Sequence, residues 1–75
     1  MNTLLKSVKY EYPITPREQE ILQMIVDGNS NKQISDHLGI SVRTVEAHRQ
    51  NLFRKFDVDN IVKLVRLALE KELVN

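Results

Sequence analysis

The side chains that could do chemistry in this sequence are few. His37 and His48 could ligate a metal, but they lie eleven residues apart on separate helical patterns, and no cysteine is present to complete a set. Ser41, Thr44 and His48 have the types of a nucleophilic site, but Ser41 stands directly before a helical run, where its hydroxyl is needed as a cap. No acid pair across a pocket and no cofactor loop accompanies them. We therefore expect no catalytic residue, no metal, no cofactor and no enzyme activity. What remains is positive charge. Between Ser30 and Phe56 stand Lys32, Arg43, Arg49, Arg54 and Lys55 against only Asp36 and Glu46, although the whole chain carries a net charge of +1. Arginine is ordinarily a solvated surface residue. A local excess of cations is also the electrostatic footprint that a phosphate backbone requires, so position has to decide.

Helices must position these cations. Thr15-Pro16-Arg17-Glu18 opens the first: Thr15 caps, Pro16 loses nothing at the first helical position, and Glu18 closes a capping box. Ile21, Leu22, Ile25 and Val26 follow at helical spacing, and Gly28 supplies the stop, so this helix is expected over 16–27. Ser30 and Gln33 form a second capping box, Ile34 and Leu38 mark a buried stripe, and Gly39 ends the second helix. Ser41 caps a third over 42–56, with Val45, Leu52, Phe53 and Phe56 apolar. After a break at Asp57-Val58-Asp59, a fourth is expected over 60–73. Strand signals are absent. The expected fold is all-α, a four-helix bundle containing a helix-turn-helix, with residues 1–13 a tail or linker and 14–75 the domain.

Length and composition agree with one small domain. At 75 residues the chain buries about 60% of its unfolded surface. The lack of cysteine suits a reducing compartment. No apolar run reaches the roughly 18 residues of a membrane span, and the start from Met1 to Lys6 is too short for a secretory core. A cytoplasmic protein away from the membrane is expected.

The second and third helices are joined only by Gly39-Ile40-Ser41, the short turn of a helix-turn-helix. Gly39 takes a backbone conformation that a β-carbon resists, Ile40 is the wedge, and Ser41 leaves free N–H groups at a positive helix end. Arg43 and Thr44 lie in that first turn, where major-groove reading places polar and cationic residues. Phosphate contacts are expected from Lys32, Ser41, Arg43, Thr44, Arg49 and Arg54. His48 is expected to pack or to contact the backbone. Phe53 and Phe56 could stack on bases as in single-strand binders, but their place in the apolar stripe favours the core, while Tyr10 and Tyr12 stay undecided. On the fourth helix Ile61, Val62, Leu64, Val65, Ala68, Leu69 and Leu73 form a wide core-facing stripe, with Leu67 outside it beside Lys63, Arg66 and Glu70.

Three separated runs resemble LuxR-type output domains: Ile14 to Leu22 (ITPREQEIL), Gly28 to Ile34 (GNSNKQI) and Ile40 to His48 (ISVRTVEAH). The likeness covers about 13–69, and the stretches 43–49 and 64–68 are most similar to response regulators of the FixJ and NarL type. The resemblance implies binding to double-stranded promoter DNA as a homodimer, with the third helix in the major groove and the fourth making the dimer contact. It also implies a role in transcription regulation downstream of a two-component signal, with RNA polymerase as a further partner. Carried onto this chain, it puts base reading at Glu46, Ala47 and Gln50. Glu46 departs from the lysine usual in NarL-type relatives, so cytosine N4 replaces guanine as the expected partner. Gln33 and Ser35 replace the common Glu and Ala, which alters capping and packing. A dimer centred near Leu67 would oppose Lys63 of one copy to Glu70 of the other, with Arg66 beside the axis.

Two other readings compete. Region four of sigma factors shares a helix-turn-helix and a similar opening, although the weakly basic third helix and Ala47-His48 count against it. A helical protein-interaction domain would bind no duplex at any salt. An excised output domain with a receiver upstream is favoured over a free-standing regulator.

Overall fold

A computed structural model describes residues 13–75, which form four helices: α1 (Pro16–Val26), α2 (Asn31–Leu38), α3 (Val42–Phe56) and α4 (Ile61–Glu70). Apart from Pro13, the tail assigned to residues 1–13 lies outside the described residues, as do Tyr10 and Tyr12.

The helix starts follow from short-range hydrogen bonding. At α1 the Thr15 N–H donates to Glu18 Oε1 at 2.9 Å, and the Glu18 N–H donates back to Thr15 Oγ1 at 3.1 Å. The Ser30–Gln33 pair repeats this at α2, with distances of 2.8 and 3.1 Å. These bonds satisfy donors that the first turn of any helix leaves open. α1 stops one residue earlier than its pattern suggests: Asp27 is the cap, and Gly28 follows at φ +93°. Gly39 closes α2 in the left-handed conformation, φ +70°, and Ile40 then packs partly against the core. Ser35, buried near the end of α2, donates its hydroxyl to the Ile40 carbonyl. The serine therefore has a structural use, tying the turn to the helix that precedes it.

The core is one cluster shared by all four helices. Ile21, Leu22, Ile34, Val45, Leu52 and Leu64 are wholly buried, with Ile25, Phe56 and Ala68 beside them. Burying each large aliphatic side chain contributes about 1.5–3 kcal/mol, so α3, which supplies Val45, Leu52 and Phe56, is held from its underside.

The fourth helix departs from expectation in two ways. It ends at Glu70 rather than Leu73, because Glu72 turns left-handed (φ +56°) and the Leu73 N–H bonds back to the Ala68 carbonyl at 2.9 Å. Leu73 and Val74 reach the core by folding back over α1, where Gln19 Nε2 donates to the Leu73 carbonyl and the Asn75 N–H donates to Gln23 Oε1. The apolar face is also rotated from the predicted one. Val62 and Leu69, assigned to the core stripe, are 62% and 48% exposed, while Leu67, assigned outside it, is half-buried against the core. Leu64 and Ala68 set the buried centre. A helix covered on one side only by α1 and α3 cannot bury a half-circumference of apolar residues, so one edge of the stripe stays in water.

Candidate nucleic-acid interface

Ser41 ends an extended approach (φ −76°, ψ 158°) and caps α3, its Oγ accepting the Thr44 N–H at 3.0 Å and lying 2.9 Å from Thr44 Oγ1. The hydroxyl is thereby committed to the helix start rather than poised as a nucleophile. At the other end Asp57 adopts φ +56°, which aspartate tolerates better than most residues, and its N–H bonds back to Arg54 and Phe53.

Between these stops α3 presents an outward face. Arg43, Thr44, Glu46, Ala47, Gln50 and Arg54 are exposed, opposite the buried Val45, Leu52 and Phe56. An open cleft beside that face gathers Arg43, Glu46, Ala47, Arg49 and Gln50, together with Asn31 from the start of α2 and Phe53. Five of the proposed contact residues thus share one surface depression. Lys32, Ser41, Thr44 and Arg54 do not line it: Lys32 is exposed on α2, and Arg54 donates to Asn51 Oδ1 at 2.9 Å. Asn31 and Phe53 were not among the predicted site residues. The signal for Phe53 was its place one turn beyond Arg49 and Gln50. Nothing local marks Asn31, which arrives at the cleft through the turn between the helices.

The cations of this face are free of ion pairs among the described residues. Among the described residues the pairs are Arg17–Glu20, Lys32–Asp36, Lys55–Glu18 and Lys63–Asp59. None involves Arg43, Arg49 or Arg54, so three guanidinium groups carry charge that no carboxylate neutralises. The Lys32–Asp36 pair is closed at 2.9 Å, but both side chains are mostly in water, and an exposed i,i+4 pair is worth only about 0.3–0.5 kcal/mol. A phosphate could displace Asp36 at little cost.

The far end of α3 is anchored by a different pair. Lys55 Nζ donates to Glu18 Oε1 at 2.8 Å, and Glu18 is almost wholly buried while also closing the α1 capping box. Burial by itself would raise the Glu18 pKa. The bond from Lys55, the Thr15 N–H and the positive fields of Lys55 and His48 outweigh it, and the carboxyl ends below its ordinary value. His48 is half-buried on α3 with Nδ1 enclosed and without a hydrogen-bond partner.

With this geometry in place, comparison with known proteins assigns the class. The family model described as bacterial regulatory proteins, luxR family, matches residues 12–68. The chain belongs to that family. It is similar to the transcriptional regulatory protein MctR of Rhizobium johnstonii, with 46% identity over 84% of this chain and 29% of the relative. To the uncharacterized response regulatory protein YgeK of Escherichia coli it has 48% identity over 75% of this chain and 38% of that protein. Among solved structures it superimposes on the VqmA–ligand–DNA complex from Vibrio cholerae with a TM-score of 0.78 and 33% identity, covering 81% of this chain and 27% of that one. The chain spans about a third of the length of the curated relatives it matches. Family membership favours the regulator over the sigma-like module and over a purely protein-binding domain. Among the described residues no helix is long and apolar enough to cross a membrane.

Proposed function

We propose that residues 14–75 bind double-stranded promoter DNA sequence-specifically, in the cytoplasm, as the output domain of a two-component transcription regulator. The observation that carries this is the α3 face, where Arg43, Arg49 and Arg54 gather on one helix without acidic partners among the described residues. α3 enters the major groove with its N-terminal half. Glu46, Ala47 and Gln50 meet base edges, and Lys32, Ser41, Arg43, Thr44, Arg49 and Arg54 meet the backbone.

Two copies assemble on DNA through α4. The exposure of Val62 and Leu69 supports a contact beside Leu67: they lie seven residues apart on one face, with Arg66 between them and Lys63 and Glu70 along its edge. An antiparallel crossing there sets Val62 of each copy against Leu69 of the other. Lys63 is already paired with Asp59 at 3.1 Å, so a bond to the partner's Glu70 has to compete with it. Such a contact is small against the roughly 1,200 Å² of a stable interface, so the duplex supplies the effective concentration.

Binding of the chain to duplexes selected from a random pool, followed by anisotropy against salt, tests the function. Phosphate neutralisation by Lys32, Arg43 and Arg49 gives a log–log slope per monomer of at least about −2.7, and Arg43→Ala flattens it by roughly 0.9. Affinity indifferent to salt would overturn the proposal.

A further inference from the structure

The cleft beside α3 holds one polar atom that the fold leaves unused. Asn31, the first residue of α2, keeps its Oδ1 enclosed and without a hydrogen-bond partner. A buried carbonyl oxygen in that state is costly, and such atoms are rare in native folds. The same cleft contains Arg49, half-buried, with five N–H donors and no carboxylate partner. Arg49 is the one cleft arginine on the flank of α3 rather than on its outward face. Its guanidinium must therefore be brought round toward a ligand lying across the outward face. An acceptor at the start of α2 is placed to do this, because a guanidinium can give one edge to an amide oxygen and keep the other for a phosphate.

We infer that Asn31 is a positioning residue for Arg49: its Oδ1 accepts from the guanidinium when a DNA strand crosses the cleft, and so orients the remaining N–H groups onto a phosphate. The inference rests on the DNA-binding function proposed above. It accounts for two features together, the unsatisfied oxygen and the unpaired arginine lining the same cleft.

A double-mutant cycle on duplex binding separates this from a structural role. The 75-residue chain and its Asn31→Ala, Arg49→Ala and doubly substituted variants are titrated with the same selected duplex over a range of KCl concentrations. Arg49→Ala should weaken binding and flatten the salt slope by roughly 0.9. Asn31→Ala should weaken binding of the parent by roughly tenfold, the scale of a hydrogen bond to a charged group, and should flatten the slope too. In the Arg49→Ala background the same change should do almost nothing. Equal loss in both backgrounds, or no loss in the parent, would overturn the inference while leaving duplex binding in place. Failure of the parent itself to bind any duplex would instead remove the function beneath it. Asn31→Leu, which keeps the bulk of the amide side chain without its oxygen, carries the same cycle if melting shows the alanine variant unfolded.

Discussion

Glu18 offers the sharpest test of how α3 is held. Glu18 is 4% exposed, and its carboxylate does two things at once, closing the α1 cap and anchoring Lys55 at the end of α3. Glu18→Gln keeps the shape and an oxygen for the Thr15 N–H but removes the charge facing Lys55. A hydrogen bond to a charged partner is worth about 1.5–3 kcal/mol. Lys55 retains 26% of its side-chain surface in water, so solvent screening brings this down to about 1–2 kcal/mol. Glu18→Ala also loses the reciprocal cap, about 1 kcal/mol more. A domain of this size has a total stability of only about 3–9 kcal/mol. At about 4–8 °C per kcal/mol, Glu18→Gln should lower Tm by at least about 4 °C at pH 7.

The pH dependence adds an independent check. The folded-state pKa of Glu18 is lowered, so between the folded and unfolded values the unfolded chain binds more protons. Its contribution is fully present above the unfolded value and is lost as pH falls through the folded one. A protonated glutamic acid resembles glutamine, so the Tm gap between parent and Glu18→Gln should close with acidification below about pH 5. Melting curves by circular dichroism from pH 7 to pH 3 give both results. An unchanged Tm at pH 7, or a gap that persists undiminished in acid, would refute the assignment of the Glu18–Lys55 bond as a stabilising anchor.

Three further outcomes follow from the same geometry. Gly39→Ala places a β-carbon with nothing within 4 Å, so only the φ of +70° opposes it; urea unfolding should show a loss of about 1 kcal/mol, and a gain would contradict the left-handed turn. Val62→Asp and Leu69→Asp should leave melting nearly unchanged while removing cooperative filling of a two-half-site duplex, whereas Leu67→Asp should destabilise the fold because Leu67 packs on the core; full cooperativity in both exposed variants would place the dimer contact elsewhere. Changing Glu46 or Gln50 to Ala should cost about 1–3 kcal/mol on the preferred site and alter the rank order of duplexes in competition binding, and an unaltered order would show that these residues do not read bases.

The parts of this fold that could be read in the sequence are those whose cause is local. Thr15 and Glu18, or Ser30 and Gln33, are three residues apart, and their types suffice to start a helix there. Gly39 and the bounds of α3 follow in the same way. The parts that could not be read depend on what packs where. Periodicity showed that α4 carries a wide apolar stripe, but which edge is covered depends on α1 and α3, so Leu67 exchanged places with Val62 and Leu69. The Lys55–Glu18 bond joins residues 37 apart and the Gln19–Leu73 bond residues 54 apart, and no short-range pattern announces either. Asn31 is the same case within the site, for its neighbours in the cleft come from another helix.

The division of labour along α3 explains why the net charge of +1 is a poor guide to this domain. The helix is held at its underside by Val45, Leu52 and Phe56, at its start by Ser41, and at its end by Lys55 through Glu18. None of these supports uses the outward face. Arg43, Ala47 and Gln50 therefore contribute little to folding, and Glu46 is the one acid among the residues of the cleft. The acids that lower the overall charge act mostly elsewhere, several of them in ion pairs with α1, α2 or α4 cations. Fields from exposed charges more than about 8–10 Å away are largely screened at physiological salt. At the cleft the local surplus of arginine is thus what an approaching anion would meet, and substitutions on this face should cost the fold beneath little.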